Sequence, residues 1–129
     1  MTGLFTQLSN QPVQPGTLSL INQKNRRKKA VDPRKPITHY EFIGRPSVFQ
    51  NKYVIGVDGD RDEVCDKFDA RLRKKMQKGD PVYVNNMQRL SDLLDNGHDV
   101  VLVCFCDPLR CHGLSVIKRL KRFRKETSK

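Results

Sequence analysis

The sequence has no apolar run long enough to cross a membrane, and this absence argues against a protein with a transmembrane helix. No stretch approaches the roughly 20 apolar residues that a transmembrane helix needs. The N-terminal residues, MTGLFTQLSNQPVQPG, also lack the charged start and long apolar segment of a secretory signal. We therefore expect an intracellular, cytoplasmic protein that has no membrane partner.

Apolar residues are scarce throughout, at 36% of the chain, which is below the usual fraction for a globular domain. The scarcity is greatest in residues 1–38, which show almost no apolar periodicity and contain the turn-forming Pro12, Pro15 and Gly16. We therefore predict an irregular basic arm over residues 1–38, one domain over 39–125 and a tail over 126–129. The middle segment holds enough apolar residues for a small core.

Cysteine is also rare, with four residues in the chain. Thiols stay reduced inside cells, so we do not expect a disulfide framework. The remaining explanations for a cluster of cysteines are metal binding, thiol reactivity or simple burial in the core.

Acidic residues are nearly absent from both ends of the chain. Residues 1–38 carry seven Lys or Arg and one Asp, residues 118–129 carry seven basic residues and one Glu, and the middle is nearly neutral. Basic ends attract polyanions, most often nucleic acid, although they also occur as solubilising tails. The predicted nucleic-acid-binding residues are Lys24, Arg26, Arg27, Lys28, Lys29, Lys118, Arg119, Lys121, Arg122, Arg124 and Lys125.

The first half of the predicted domain combines short strands with amphipathic helices. Aromatic and aliphatic residues indicate strands near residues 39–45 and 53–55. Apolar residues at four-residue steps predict a helix over 60–79 that ends at a glycine. Asp80-Pro81 offers an N-cap and a first-turn proline, which predicts a second helix ending before Gly97.

The second half of the domain fixes the expected fold class. The run HDVVLVCFC, residues 98–106, has no charge after its aspartate and predicts a central strand buried on both faces. A third helix is expected from about Cys111. Strand, helices, buried strand and helix in this order predict a small Rossmann-like α/β fold with a mostly parallel sheet flanked by helices.

The stretch VVLVCFCDPLRCHG, residues 100–113, supports three interpretations. Cys104, Cys106, Cys111 and His112 are ligand types that zinc prefers, but their spacing differs from that of usual structural zinc sites. We therefore predict no cofactor and keep zinc as an alternative. Cys104 and Cys106 share one face of the predicted strand, and they are equally well explained as small core residues.

A reactive or ligand-binding site is the third interpretation of this stretch. A helix N-terminus stabilises a thiolate and binds anions such as phosphate. Cys111 and His112 are accordingly the candidate catalytic residues, and Arg110 is a candidate ligand-binding residue beside them. The site lies beyond the carboxyl end of the central strand, where open α/β sheets bind ligands.

Two segments of the chain resemble a small uncharacterised domain family spread through bacteria and their phages. The segment EFIGRPSVFQNKYVIGVDGDRDEV contains the family's Ile-Gly-Arg, and VCFCDPLRCHG matches its Cys-x-Cys-x-Pro-x-x-Cys-His-Gly signature. The segment from Phe49 to Tyr53 keeps only the asparagine and an aromatic residue of a Trp-Gly-Asn-Pro-Phe-like motif. The resemblance covers about residues 40–120 and implies a Rossmann-like fold and a phage or mobile-element setting, hence a host-cell cytoplasm.

The resemblance also joins two distant parts of the chain. If the first and last strands are parallel neighbours, Arg45 and Asn51 share one crevice with the Cys-His pair and bind its ligand. One functional hypothesis is an accessory protein that binds nucleic acid, or a nucleoprotein or polymerase-type assembly, through its basic ends. The alternative is an enzyme that processes a nucleotide or nucleic acid with Cys111 and His112. A zinc-stabilised adaptor is a third possibility.

Overall fold

A computed structural model describes residues 14–23, 38–105 and 109–127. In the described residues a three-stranded parallel sheet and three helices form an open α/β fold, which confirms the predicted fold class. The elements are β1 (Leu18–Asn22), β2 (Thr38–Phe42), α1 (Arg61–Gln77), α2 (Pro81–Asp95), β3 (Asp99–Cys104) and α3 (Gly113–Thr127). None of these helices is long and apolar enough to cross a membrane.

Strand β3 is the centre of the sheet, as its apolar run predicts. All six of its residues are buried, and the strand order is β1-β3-β2. Leu18 of β1 pairs with Val100, and His39 of β2 pairs with the same residue from the other side. Successive side chains of a strand point to opposite faces of the sheet, and here all of them are buried. Burial on both faces explains why this segment carries no alternating polar residues.

Strand β1 corrects the prediction of a wholly irregular N-terminal arm. Residues 18–22 pair with residues 100–104 of β3, and the Thr17 N–H donates to Asp99 Oδ1 at 2.8 Å. Leu18 and Leu20 are only partly buried against the core. An edge strand with two half-buried leucines gives a weak sequence signal, and its order comes from hydrogen bonds that β3 supplies.

Helix α1 begins at a capping box. The Asp60 side chain accepts from the Glu63 N–H at 2.8 Å, and the Asp60 N–H donates back to Glu63 Oε1 at 3.1 Å. This reciprocal pair satisfies two donors that a helix N-terminus otherwise leaves unpaired. Val64, Phe68 and Leu72 are buried along the face that the four-residue periodicity predicts. Gly79 then ends the segment with a positive φ of 69°, a conformation that favours glycine.

Helices α2 and α3 close the core. Asp80 caps α2 and Pro81 is its first residue, as predicted. Helix α3 begins at Gly113, two residues after the expected start, and continues to Thr127. A Cβ on Gly113 would lie 2.7 Å from Leu20 Cδ1 and 2.8 Å from Ile43 Cδ1. The start of α3 therefore packs closely on side chains from β1 and from the end of β2.

The predicted strand at residues 53–55 is wrong. This segment makes one isolated bridge, between Ile55 and Gly59. The Val54 N–H donates to Asp58 Oδ2 at 2.8 Å, and the Asp58 N–H donates to the Val54 carbonyl at 2.8 Å. These local bonds close a tight turn, and they compete with pairing to a neighbouring strand.

Candidate functional site

A cleft of about 490 Å³ lies at the carboxyl ends of β2 and β3. Four of the five predicted pocket residues line it, and they are Arg45, Asn51, Arg110 and His112. Arg45 follows β2 and His112 precedes α3, so the parallel arrangement brings these distant segments together. The location agrees with the rule that open α/β sheets bind ligands beyond their carboxyl edge.

Asn51 holds the loop that carries Arg45 in place. The Asn51 side chain donates from Nδ2 to the Val64 carbonyl of α1 at 3.1 Å and accepts the Tyr53 N–H at 2.9 Å. Arg45 Nε donates to the Asn51 carbonyl at 3.1 Å. The asparagine thus acts through the backbone of the loop, and it fixes one edge of the Arg45 guanidinium.

Arg110 lines the cleft, but acidic residues of α1 already compensate its charge. Its guanidinium contacts Asp66 Oδ1 at 2.6 Å and Asp62 Oδ1 at 3.0 Å. The hydrogen bonds that Arg110 donates to these two carboxylates raise its pKa above the ordinary value. The Arg110 carbonyl accepts from Arg61 Nη1 at 3.2 Å. The residue therefore positions Arg61, a second arginine of the cleft, more than it offers charge to a ligand.

His112 is a largely buried imidazole, with 8% of its surface exposed. Its Nε2 lies 2.9 Å from the Ile43 carbonyl, which only accepts, so the proton resides on Nε2. The Phe68 ring packs against the imidazole at 4.8 Å between centroids. Burial lowers the pKa of His112; hydrogen bonds to the backbone of Ile43 and Phe49 oppose this effect, and the nearby Arg45 charge adds to it.

Cys111 does not reach the cleft. Only 2% of its surface is exposed, its Sγ accepts the Gly113 N–H at 3.4 Å, and His112 Nδ1 lies 3.6 Å from the same sulfur. The sequence predicts that the pair lies at or near the first turn of a helix. In the structure the pair precedes α3, with Cys111 inside the core and His112 largely buried at the edge of the cleft, because Gly113 brings the chain against Leu20 and Ile43.

The metal interpretation receives no support from the described part of the chain, where no cluster of His, Cys, Asp or Glu is arranged to hold an ion. Cys104 is buried in β3, as the core interpretation predicts. Cys106 lies outside the described residues, so the zinc alternative stays a prediction.

Several residues that line the cleft were not predicted from the sequence as site residues. Arg61 is the first residue of α1, and it ends the segment Asp58-Gly59-Asp60-Arg61. Tyr53, Phe105 and Cys65 also line the cleft. Arg61 had a recognisable signal, because an arginine at a helix start near a predicted strand end is a candidate anion ligand. The other three had none, since their proximity depends on how α1 packs.

The residues predicted to bind nucleic acid fall into three groups, which are residues outside the described ranges, exposed lysines of α3 and arginines of α3 that contact the rest of the fold. Residues 24–29, with Lys24, Arg26, Arg27, Lys28 and Lys29, lie outside the described residues. On α3, Lys118, Lys121 and Lys125 are exposed.

The arginines of α3 are engaged within the protein instead. Arg119 has 7% of its surface exposed and lies 3.6 Å from Asp69. Arg124 contacts the Ser91 carbonyl at 2.6 Å and Asp95 at 2.8 Å. Arg122 pairs with Glu126 at 3.0 Å. These contacts reduce the positive charge that α3 offers to a polyanion.

Comparison with known proteins places the chain in a family. Residues 23–122 match the model of a domain of unknown function, DUF4326. The chain belongs to this family. The DUF4326 match covers β2, β3, α1 and α2 entirely and most of α3, so the whole cleft lies within the domain. No curated protein sequence and no solved structure matches the chain significantly.

Proposed function

We propose that the cleft binds a phosphate-bearing ligand of nucleotide size. The observation that carries the proposal is that two arginines of the cleft have no acidic partner among the described residues. Arg45 and Arg61 both line the cleft, and within the described residues neither forms an ion pair. Guanidinium groups with unoccupied donors at the edge of a parallel sheet suit a phosphate, which accepts paired hydrogen bonds.

Both arginines are held by backbone carbonyls and keep donors for a ligand. Arg45 uses Nε on the Asn51 carbonyl, and Arg61 uses Nη1 on the Arg110 carbonyl. Each arginine therefore has terminal N–H groups that no described contact occupies. Such positioning lowers the ordering cost of binding, because the side chains are already restrained before the ligand arrives.

The rim of the cleft carries an aromatic ring on which a planar group of the ligand can stack. Phe105 is 62% exposed although it is a large apolar side chain. Phe42 supports it from the side, with ring centroids 5.7 Å apart and planes at 79°. An exposed, supported aromatic ring beside a cationic cleft is suited to stacking on a base. The cleft volume also falls within the range of about 300 to 1,000 Å³ for small-molecule sites.

Binding agrees with the geometry better than covalent catalysis does. The Cys111 thiol is sealed from the cleft, and the His112 Nε2 proton is committed to the Ile43 carbonyl. A nucleotide-processing enzyme based on this pair would need both groups to become accessible. Cys111→Ala should therefore leave ligand affinity unchanged within about twofold, because the sulfur makes no cleft contact.

A second candidate function is nucleic-acid binding through the basic ends, as an accessory protein of a phage or mobile element. The charge distribution supports it, because both ends carry a strong excess of Lys and Arg. The exposed lysines of α3 supply the described part of this surface. Through these basic ends the protein would bind nucleic acid, or a nucleoprotein or polymerase-type assembly, in a host cytoplasm.

Calorimetric titration with three probes tests the cleft proposal. AMP carries base and phosphate, adenosine lacks the phosphate, and ribose 5-phosphate lacks the base. We expect AMP to bind more tightly than either fragment. The double variant Arg45→Gln with Arg61→Gln should weaken AMP binding by about tenfold or more, because it removes charge-assisted hydrogen bonds, and should leave adenosine binding nearly unchanged.

The matched control removes two positive charges elsewhere, through Arg73→Gln with Lys118→Gln, both of which are exposed and outside the cleft. It should retain AMP affinity within about twofold. The proposal fails if AMP shows no saturable binding, or if the control weakens AMP binding as much as the cleft variant does.

A further inference from the structure

One face of α1, continued by its C-cap residue Lys78, carries a row of positive charges. Its members are Lys67, Arg71, Lys74, Lys75 and Lys78. They line a groove of about 500 Å³. Residues three or four apart share a helix face, so these side chains lie along a single stripe, hereafter the α1 stripe. Between Lys67 and Lys78 the sequence has one acidic residue, Asp69.

Part of this charge is compensated within the protein and part is left over. Lys75 pairs with Asp80 at 3.4 Å, and the Lys67 ammonium donates to the Asp58 carbonyl. Among the described residues, Arg71, Lys74 and Lys78 form no ion pair. Three cations in a row without internal partners are a surface suited to a polyanion.

Tyr53 connects the α1 stripe to the cleft, since its side chain lines both the groove and the cleft. The ammonium groups of Lys52 and Lys67 lie 5.3 Å and 5.9 Å from its ring centroid. An aromatic ring with cations beside it offers both a stacking surface for a base and attraction for the adjoining phosphate. The groove and the cleft therefore meet at Tyr53, and together they make up a track.

We propose that a single-stranded nucleic acid occupies this track, with its backbone along the α1 stripe and one nucleotide in the cleft. This inference rests on the proposed function and names the class of molecule that carries the nucleotide. The eleven-residue separation of Lys67 and Lys78 corresponds to ~16 Å along the helix axis. That length accommodates no more than about five consecutive phosphates.

An acidic peptide matches the charge of the α1 stripe but not the rest of the track. It carries no planar base for the exposed Phe105 ring or for Tyr53 at the junction. A duplex also fits poorly, because its paired bases are not available to enter a cleft beside the strand ends. The combination of cations, aromatic rings and a nucleotide-sized cleft therefore favours a single strand.

Fluorescence anisotropy with labelled probes tests the inference. The probes are oligo-dT and oligo-U strands of about 12 nucleotides, the matched DNA duplex and a polyglutamate peptide of equal length. We expect both single strands to bind more tightly than the duplex and the peptide. Binding should weaken as salt rises between about 50 and 200 mM, because phosphate contacts release counterions.

Two triple variants with the same charge change locate the surface. Arg71→Gln, Lys74→Gln and Lys78→Gln together alter the α1 stripe, and Lys118→Gln, Lys121→Gln and Lys125→Gln alter α3. The first should weaken strand binding by about tenfold or more and lower the salt slope by about 2. The second should change affinity by less than about threefold. Equal losses in both triples, or a peptide that binds as tightly as the strands, would overturn the inference.

AMP distinguishes failure of this inference from failure of the cleft proposal. The α1 triple should keep the AMP affinity of the unaltered protein, because a mononucleotide contacts the cleft alone. If AMP binds and the strands bind no more tightly than AMP, the strand inference is wrong and the cleft proposal stands. If no AMP binding is found while oligo-dT binds through the α1 stripe, the cleft proposal is wrong, and with it the placement of a nucleotide in the cleft.

Discussion

Helices α1 and α3 each carry six Lys or Arg residues, yet the protein uses these cations differently. On α3, Arg119, Arg122 and Arg124 contact acidic or polar partners within the fold. On α1, Arg71 and Lys74 have no such partner among the described residues. Net charge alone therefore does not locate a binding surface. The informative quantity is the charge left after internal ion pairs and hydrogen bonds are assigned.

Removal of the N-terminal segment should have the largest effect on stability, and it tests whether the fold requires β1. A protein that begins at residue 14 keeps β1, and one that begins at residue 24 loses it. We expect the shorter protein to lose cooperative unfolding, because β3 would have an unpaired edge and the core would lose Leu18 and Leu20. Thermal unfolding followed by far-UV circular dichroism measures this difference. A cooperative transition in both truncations would show that β1 is dispensable.

Arg119 provides the next largest effect, because it is the most buried cation of α3. Arg119→Ala leaves Asp69 without its positive partner in a largely buried site. We expect the free energy of unfolding to fall by about 2 to 3 kcal/mol, somewhat below the cost of breaking a fully buried pair. Urea denaturation measures it, and the exposed neighbour Lys118→Ala should stay within about 0.5 kcal/mol. If the two variants lose the same small amount, Arg119 is not required by the fold and is available to a ligand.

The pH dependence of stability gives a smaller effect at His112, which lies between the core and the cleft. Burial lowers the pKa of His112, so the unfolded chain binds a proton more readily than the folded protein. Stability should therefore fall as the pH decreases from about 7 to 5, through the unfolded histidine pKa. His112→Gln keeps a donor for the Ile43 carbonyl and removes the titration, so its stability should vary less in this range.

Glu41 titrates in a separate window and serves as an internal reference. Burial raises the pKa of Glu41, but hydrogen bonds from Arg89 and His39 outweigh burial and hold the pKa below its usual value. Its contribution to stability is present above about pH 4.5 and is lost as the pH falls further. The unaltered protein and the His112→Gln variant should both lose stability below about pH 4.5, where Glu41 becomes protonated. A His112→Gln profile identical to that of the unaltered protein between pH 7 and 5 would contradict the lowered pKa of His112.

The fold was largely predictable because its main elements carry strong local signals. The unbroken apolar run of β3, the four-residue steps of α1 and the Asp80-Pro81 start of α2 each require one kind of structure. Strand β1 was not predictable, since Leu18-Ser-Leu-Ile-Asn22 is half-buried and depends on β3 for its hydrogen bonds. Its order is a tertiary property that no local pattern contains.

The site was predictable in position but not in detail. Parallel strands bring their carboxyl ends to one edge, so Arg45 and His112 were expected to meet, and they do. The depth of Cys111 was not predictable, because it depends on how closely Gly113 approaches Leu20 and Ile43. The neutralisation of Arg110 by Asp62 and Asp66 depends on the rotation of α1 about its axis.

The bond between the His112 imidazole and the Ile43 carbonyl ties the start of α3 to the residue two positions before Arg45. This bond joins two chain segments that are 69 positions apart in the sequence. It holds the end of β2 and the start of α3 at a fixed spacing, so the width of the cleft between them depends on contacts with the core as well as on the residues that line the cleft.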